Sequence, residues 1–121
     1  LNNSLSIPLT KGLQKRDFVY IDDVVQAIKK ILNYSLTKKN GFETFEIGSG
    51  KDISIKSIVL LIKRLCKNKV TKLQFGELKM RKNDALSVNL NLKKIYNLNW
   101  KPKYNLNRSL EKTIKYYKRI S

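Results

Sequence analysis

At 121 residues, 41% of them hydrophobic, the chain is the size of one domain, able to bury roughly two-thirds of its unfolded surface. No apolar run approaches the roughly 18–20 residues of a membrane-spanning helix and no signal-peptide pattern opens the sequence, so a soluble, cytoplasmic protein without a membrane partner is expected. Histidine is absent, which removes histidine-based acid–base chemistry and the usual histidine-containing zinc sites from this segment.

The formal net charge of +17 invites a nucleic-acid reading. Only Arg16, Arg64, Arg81, Arg108 and Arg119 of the 26 basic residues are arginines, however, and the lysines are spread over almost every segment. Nucleic-acid modules more often concentrate arginine with exposed aromatics on one face. The lysines therefore read as decoration of solvated faces, and no specific nucleic acid is expected, although the positive field favours an anionic small ligand.

In chain order, Ser4 to Leu9 alternates as a short strand, Thr10-Lys11-Gly12 makes a turn, and Arg16 to Ile21 returns as a second strand, suggesting a hairpin. From Asp22 to about Tyr34, Val24, Val25, Ile28, Ile31 and Leu32 recur at helical spacing, with Asp22 or Asp23 as N-cap and Lys29 and Lys30 outside. After a Lys38-Lys39-Asn40-Gly41 loop, Phe42 to Ile47 reads as a strand closed by Gly48-Ser49-Gly50. Ser54 caps a second helix reaching about Lys67, with Ile55, Ile58, Val59, Ile62, Leu65 and Cys66 inward; Cys66 is expected as a buried free thiol. Val70 to Phe75 is another strand, and Gly76 to Lys82 a loop. Asn91 opens a short helix that Leu98-Asn99-Trp100-Lys101-Pro102 breaks, and Asn105 caps a last one with Leu106, Leu110, Ile114 and Tyr117 on one face. With neither repeat nor low-complexity linker, one α/β unit of three main helices and several short strands is expected.

Five segments carry a family resemblance. The run Arg16-Asp17-Phe18-Val19-Tyr20-Ile21-Asp22-Asp23-Val24 closely resembles a motif of the extended short-chain dehydrogenase/reductases, which epimerise, dehydrate or reduce nucleoside-diphosphate sugars with a nicotinamide cofactor. Phe45 to Gly50 with Ser54-Ile55, Arg81-Lys82-Asn83-Asp84, Leu98 to Pro102, and Leu106 to Tyr117 resemble further motifs of that family in the same order. The stretch Leu9 to Phe18 is similar to enzymes that make dideoxysugars on CDP. Three positions depart from the pattern: Asn83, Asn99 and Ser109 stand where glycine is usual.

The resemblance implies the C-terminal, substrate-binding lobe of a Rossmann-fold enzyme whose cofactor domain precedes it. Such a parent would use NAD or NADP, act on a nucleoside-diphosphate sugar and be a homodimer. The lobe by itself would bind no cofactor and be inactive. By the same resemblance, Arg16 and Arg81 converge on the diphosphate, where guanidinium forks match its oxygens bidentately. Asp84 sits at the ribose, Phe18 contributes to the nucleoside pocket, and Ile7 runs beside the base. Without the resemblance, Arg16 pairing with Asp17 or Asp23, and Arg81 with Glu77, would suffice. A small basic nucleic-acid-binding module and a non-catalytic interaction domain are the alternative functions.

Three patterns mislead. Tyr34-Ser35-Leu36-Thr37-Lys38 matches the Tyr-x-x-x-Lys of the same superfamily but lies downstream of the Arg16 motif, at a helix end. Gly48-Ser49-Gly50-Lys51 has Phe45 and Asp52 where a P-loop needs glycine and serine or threonine, and Ile53 excludes a dinucleotide fingerprint. Adjacent Asp22 and Asp23 point apart and so make no acid/base pair.

Overall fold

The computed structural model describes residues 5–38, 41–82 and 84–120; Ser4, Lys39, Asn40 and Asn83 of the segments above lie outside them. In chain order the elements are β1 (Ser6–Leu9), β2 (Lys15–Asp17), α1 (Ile21–Ser35), β3 (Asp52–Ser54), α2 (Ile55–Leu65), β4 (Lys72–Phe75), α3 (Lys93–Asn97) and α4 (Leu106–Ile120). The expected mixed α/β unit, with three longer helices and short strands, is what forms.

The expected hairpin does not form. β1 pairs in parallel with β4, Ile7 opposite Leu73, whereas β2 pairs antiparallel with β3, Arg16 opposite Ile53. The reason lies in residues 12–14, which turn onto the start of α2 instead of folding back. Lys56 N–H donates to the Gly12 carbonyl at 3.0 Å and Ile55 N–H to that of Gln14 at 2.9 Å. Gly12 takes φ +65, and a Cβ there would lie 2.8 Å from Lys56 N, so both the dihedral and the approach require glycine. Lys15 N–H then donates to the Leu86 carbonyl at 2.7 Å, bringing β2 against the loop after β4.

Other boundaries shift as well. The second strand stops at Asp17 rather than Ile21, and Phe42 to Ile47, expected as a strand, has no strand partner among the described residues. Asp52–Ser54 pairs instead, at a place where the sequence reads only as the approach to a helix. Ser54 does cap α2, accepting from Ser57 N–H at 3.1 Å, and Asn105 caps α4, accepting from Arg108 N–H at 3.0 Å. Cys66 is half-buried at the C-cap of α2 rather than enclosed.

The start of α1 corrects the capping expectation. Its N-cap is Tyr20, which makes no side-chain cap bond, and Asp22 stands exposed. Asp23 is 2% exposed and turns inward, where its carboxylate accepts the backbone N–H groups of Lys103 and Tyr104, each at 3.0 Å. The Asp23 carbonyl accepts Trp100 Nε1–H at 3.0 Å. A carboxylate taken from water requires such donors, and a rigid loop of backbone amides supplies them. Asn99 makes the loop possible by adopting φ +54, a conformation that asparagine tolerates better than most residues, which accounts for its place where the resembling family has glycine. Ser109, the other helix departure, donates its hydroxyl to the Asn105 carbonyl.

Ala27, Leu92, Ile95 and Trp100 form the buried core, with Val19, Ile31, Phe45, Ile47, Leu90, Tyr96 and Leu98 packed around it. Of the α1 residues expected inward, Val24 and Ile31 are half-buried, while Val25, Ile28 and Leu32 are exposed. On α4, Leu106, Leu110 and Ile114 are half-buried but Tyr117 is exposed.

The Asp23 geometry sets a stability prediction. Asp23→Ala strands two backbone donors and should cost on the order of 3 kcal/mol in urea unfolding. Asp22→Ala removes only an exposed carboxylate 3.8 Å from Lys112 and should cost less than about 1 kcal/mol.

Candidate functional site

Arg16, on β2, reaches across to residues 84 and 85. Its Nη2 donates to the Asp84 carboxylate at 2.6 Å and its Nη1 to the Ala85 carbonyl at 2.8 Å and the Lys15 carbonyl at 2.7 Å. Three of the five N–H donors of the guanidinium are thereby used, leaving two for a ligand. The pairing with Asp17, Asp23 or Glu77 that an isolated reading suggests is formed by neither Arg16 nor Arg81 among the described residues. The Arg16–Asp84 pair is about a quarter to a third exposed, so it acts chiefly by holding the loop in place.

Arg81 and Asp84 belong to one turn, closed by Asp84 N–H donating to the Arg81 carbonyl at 3.2 Å. Together with Thr10, Gln14, Leu78 and Lys79 they line a cavity of about 790 Å³. Two arginine-bearing motifs 65 positions apart therefore meet at Asp84, with Arg81 in the cavity wall and Arg16 paired with the Asp84 carboxylate. Lys79 and Arg81 give the wall positive charge and the Gln14 and Thr10 side chains give it neutral polar groups, a composition matched to an anion that also carries hydroxyls.

The other two expected contacts lie elsewhere. Ile7, half-buried in β1, faces Leu73 of β4 and is not in the lining of this cavity. Phe18 lines two different grooves, one with Tyr20, Leu106 and Leu110, the other with Ser49, Lys51 and Asn105. The structure thus brings together Arg16, Arg81 and Asp84 and leaves Ile7 and Phe18 outside that cluster.

Asp17 is the residue whose part the sequence does not reveal. Its Oδ1 accepts Ser49 N–H at 2.8 Å and the Ser49 hydroxyl at 2.5 Å, and its Oδ2 accepts Gly50 N–H at 2.7 Å. This fastens the Gly48-Ser49-Gly50 turn to β2. A Cβ on Gly48 would come 2.7 Å from Asp17 Oδ2 and 2.5 Å from the Leu90 side chain, so a larger residue there would push aside the carboxylate that fastens the turn. The sequence holds the two partners, an aspartate beside the motif arginine and a glycine–serine–glycine turn before β3, but no local pattern that joins them.

Tyr34 and Lys38 do meet, Lys38 Nζ lying 5.1 Å from the ring centroid, and the tyrosine hydroxyl donates to Glu43 at 2.9 Å. Lys38 is held above the ordinary lysine value, chiefly by its hydrogen bond with Tyr34. A second aromatic–cation group gathers Lys112 over the rings of Tyr20 and Tyr104, at 5.4 and 4.9 Å, and there too the lysine is raised, first through the Tyr104 hydroxyl. Among the described residues no cluster of acidic and cysteine side chains is suited to a metal, and no helix is long and apolar enough to cross a membrane.

Residues 2–48 match the model of the NAD dependent epimerase/dehydratase family. CDP-abequose synthase of Salmonella muenchen is 35% identical over 91 residues, covering 75% of this chain and 30% of that protein. UDP-glucose 4-epimerase of Thermotoga maritima, solved with UDP-glucose, superposes with a TM-score of 0.71 at 28% identity, over 97% of this chain and 35% of its own. A GDP-6-OMe-4-keto-L-xylo-heptose reductase of C. jejuni gives a TM-score of 0.75 at 25% identity, over 96% and 34%. The chain thus spans about a third of the length of these proteins.

The two carboxylates should separate in unfolding experiments. Asp17→Ala, which frees two backbone donors and a hydroxyl, should destabilise the chain by about 2–3 kcal/mol. Asp84→Ala, which loses a partly exposed ion pair, should cost less than about 1 kcal/mol.

Proposed function

We propose that this chain, which by sequence and fold belongs with the NAD dependent epimerase/dehydratase family, is the nucleotide-sugar-binding part of an NAD- or NADP-dependent epimerase, dehydratase or reductase. The observation that carries the reading is the meeting of Arg16 with Asp84 at 2.6 Å beside the cavity that Arg81 lines. Arg81 has the charge and exposure to take the outer phosphate oxygens, and the two remaining donors of Arg16 suit the inner ones. The Asp84 carboxylate, anchored by Arg16 through Oδ1, keeps Oδ2 to accept from a ribose hydroxyl.

In this reading the chain binds and orients substrate. The cofactor, when bound by the rest of such an enzyme, supplies hydride transfer at a sugar carbon. No residue here is assigned a proton-transfer step, since the Tyr34 hydroxyl is engaged by Glu43 and stands at an exposed helix end. A cytidine nucleotide is the first ligand to try, because two relatives matched in sequence are CDP-abequose synthases.

Calorimetric titration tests the reading. CDP should bind the chain and cytidine should not. Arg81→Ala should weaken CDP roughly ten- to a hundred-fold, the value of one charge-assisted contact, whereas Lys29→Ala on the solvated face of α1 should change little. Equal affinity for CDP in the wild type and Arg81→Ala would contradict the site.

The same instrument addresses the cofactor and the nucleic-acid alternative. NAD(H) and NADP(H) should show no saturable micromolar binding to the chain by itself. Binding to DNA or RNA should be weak, blind to sequence and steeply dependent on salt, as counterion release requires. Sequence-selective binding at physiological salt would favour the nucleic-acid function instead.

A further inference from the structure

We propose that Lys79 is the second free cation of the nucleotide site, that it takes the outer phosphate beside Arg81, and that it makes the site select diphosphate over monophosphate ligands. The proposal rests on the nucleotide-binding reading above and names the residue that sets the number of phosphates the site accepts.

The backbone holds Lys79 in place before any ligand arrives. β4 ends at Phe75, and the turn after it is clamped to the end of β1, where the Leu9 carbonyl accepts Gly76 N–H at 2.9 Å and Leu78 N–H at 3.1 Å. Gly76 takes φ +94, a conformation that glycine adopts without steric cost. Two residues past Lys79 the next turn begins, closed by Asp84 N–H donating to the Arg81 carbonyl. Lys79 therefore stands between two hydrogen-bonded turns, in the same cavity lining as Leu78 and Arg81. A cation on a backbone already fixed loses less freedom when it meets its ligand.

The other lysines nearby are placed differently. Lys56, at the start of α2, has its Nζ 5.2 Å from the centroid of the Phe75 ring. The Lys11 side chain lies along Gly76, its Cγ 3.9 Å from the position a Cβ would take there. Neither of them, nor Lys82 next to Arg81, is in the cavity lining. Lys79 is, and among the described residues its ammonium makes no ion pair, hydrogen bond or ring contact.

Charge matching gives this cation a task. Arg16 and Asp84 form a pair that is neutral as a unit. Arg81 alone would then set one positive charge against the two ionised phosphates of a nucleoside-diphosphate sugar, and Lys79 makes it two. An ammonium is a point charge without the planar fork of a guanidinium, so it suits an outer phosphate whose oxygens shift with the group attached to them. A nucleoside monophosphate held by its ribose at Asp84 carries only the inner phosphate, beside Arg16, and leaves Lys79 with nothing to bind.

Calorimetric titration of the chain with CDP and with CMP, at low and at high salt, tests the assignment. Lys79→Ala should weaken CDP roughly three- to ten-fold at low salt and CMP by less than about twofold, and the loss on CDP should shrink as salt screens an exposed charge. Lys79→Arg should keep the affinity for CDP. Lys82→Ala, outside the lining, should change neither ligand. Lys79 is exposed and unpartnered, so its variants should melt with the wild type. Wild-type affinity for CDP in Lys79→Ala would overturn the assignment. So would an equal loss on CDP and CMP, or an equal loss in Lys82→Ala, since either reports only the general positive field. Failure of the nucleotide site itself looks different: CDP would not bind the wild type, or would bind Arg81→Ala as tightly, and the role of Lys79 would fall with it.

Discussion

The inward carboxylate of Asp23 is the tie on which the rest of the chain depends. The hydrophobic core is small, and the Asp23 carboxylate adds to the packing of Ala27 and Ile31 a polar tie from α1 to the amides of Lys103 and Tyr104. A separate bond, from Trp100 Nε1–H to the Asp23 carbonyl, holds Trp100 in the core cluster with Ala27 and Ile95. Two neighbours of Asp23 in sequence act in the same manner. Asp17 fastens the turn at Ser49 and Gly50, and Arg16 fastens the loop at Asp84 and Ala85. Within eight residues, three charged side chains therefore pin three distant segments, each by hydrogen bonds to groups that would otherwise be unpaired or mobile.

This arrangement explains why a binding loop can be placed accurately in a domain with so little apolar interior. The loop carrying Arg81 has no regular structure of its own, yet its Asp84 is held by an arginine on a strand, and that strand is tied at Lys15 to Leu86. Gln14, whose carbonyl accepts from Ile55 N–H at the start of α2, is part of the cavity lining. In the proposed reading, placement on elements fixed by short-range polar bonds would let the fixed oxygens of a diphosphate be met without reorganisation.

Much of this was legible in the sequence where a local signal decides the outcome. Ser54 and Asn105 cap helices as their positions imply, and the stripes of α2 and α4 face largely as their spacing requires. The convergence of Arg16 and Arg81 on one ligand was an expectation from resemblance, not from periodicity; the contact formed is that of Arg16 with Asp84. What failed was long-range. Alternation in residues 4–9 and 16–21 says that strands form but not which partner each takes, and the two paired elsewhere. Asp22-Asp23 before an apolar run reads as a cap, because no local pattern reveals two amides eighty positions away. Residues 42–47 read as a strand because their composition is that of one, and the neighbour it calls for is not among the described residues. The exposed Val25, Ile28 and Leu32 have the same origin: periodicity marks apolar faces without saying what covers them.

The central claim is that the cavity bounded by Gln14, Arg81 and Asp84 receives the diphosphate of a nucleotide. Backbone amide NMR of the labelled chain, titrated with CDP, tests it most directly. The account predicts that the largest shifts fall on Thr10 to Arg16 and on 78–86, with the Ser49 turn and α4 little affected. Shifts concentrated instead on Phe18, Ser49, Lys51 and Asn105 would place the nucleotide in the groove at the start of α4 and contradict the account.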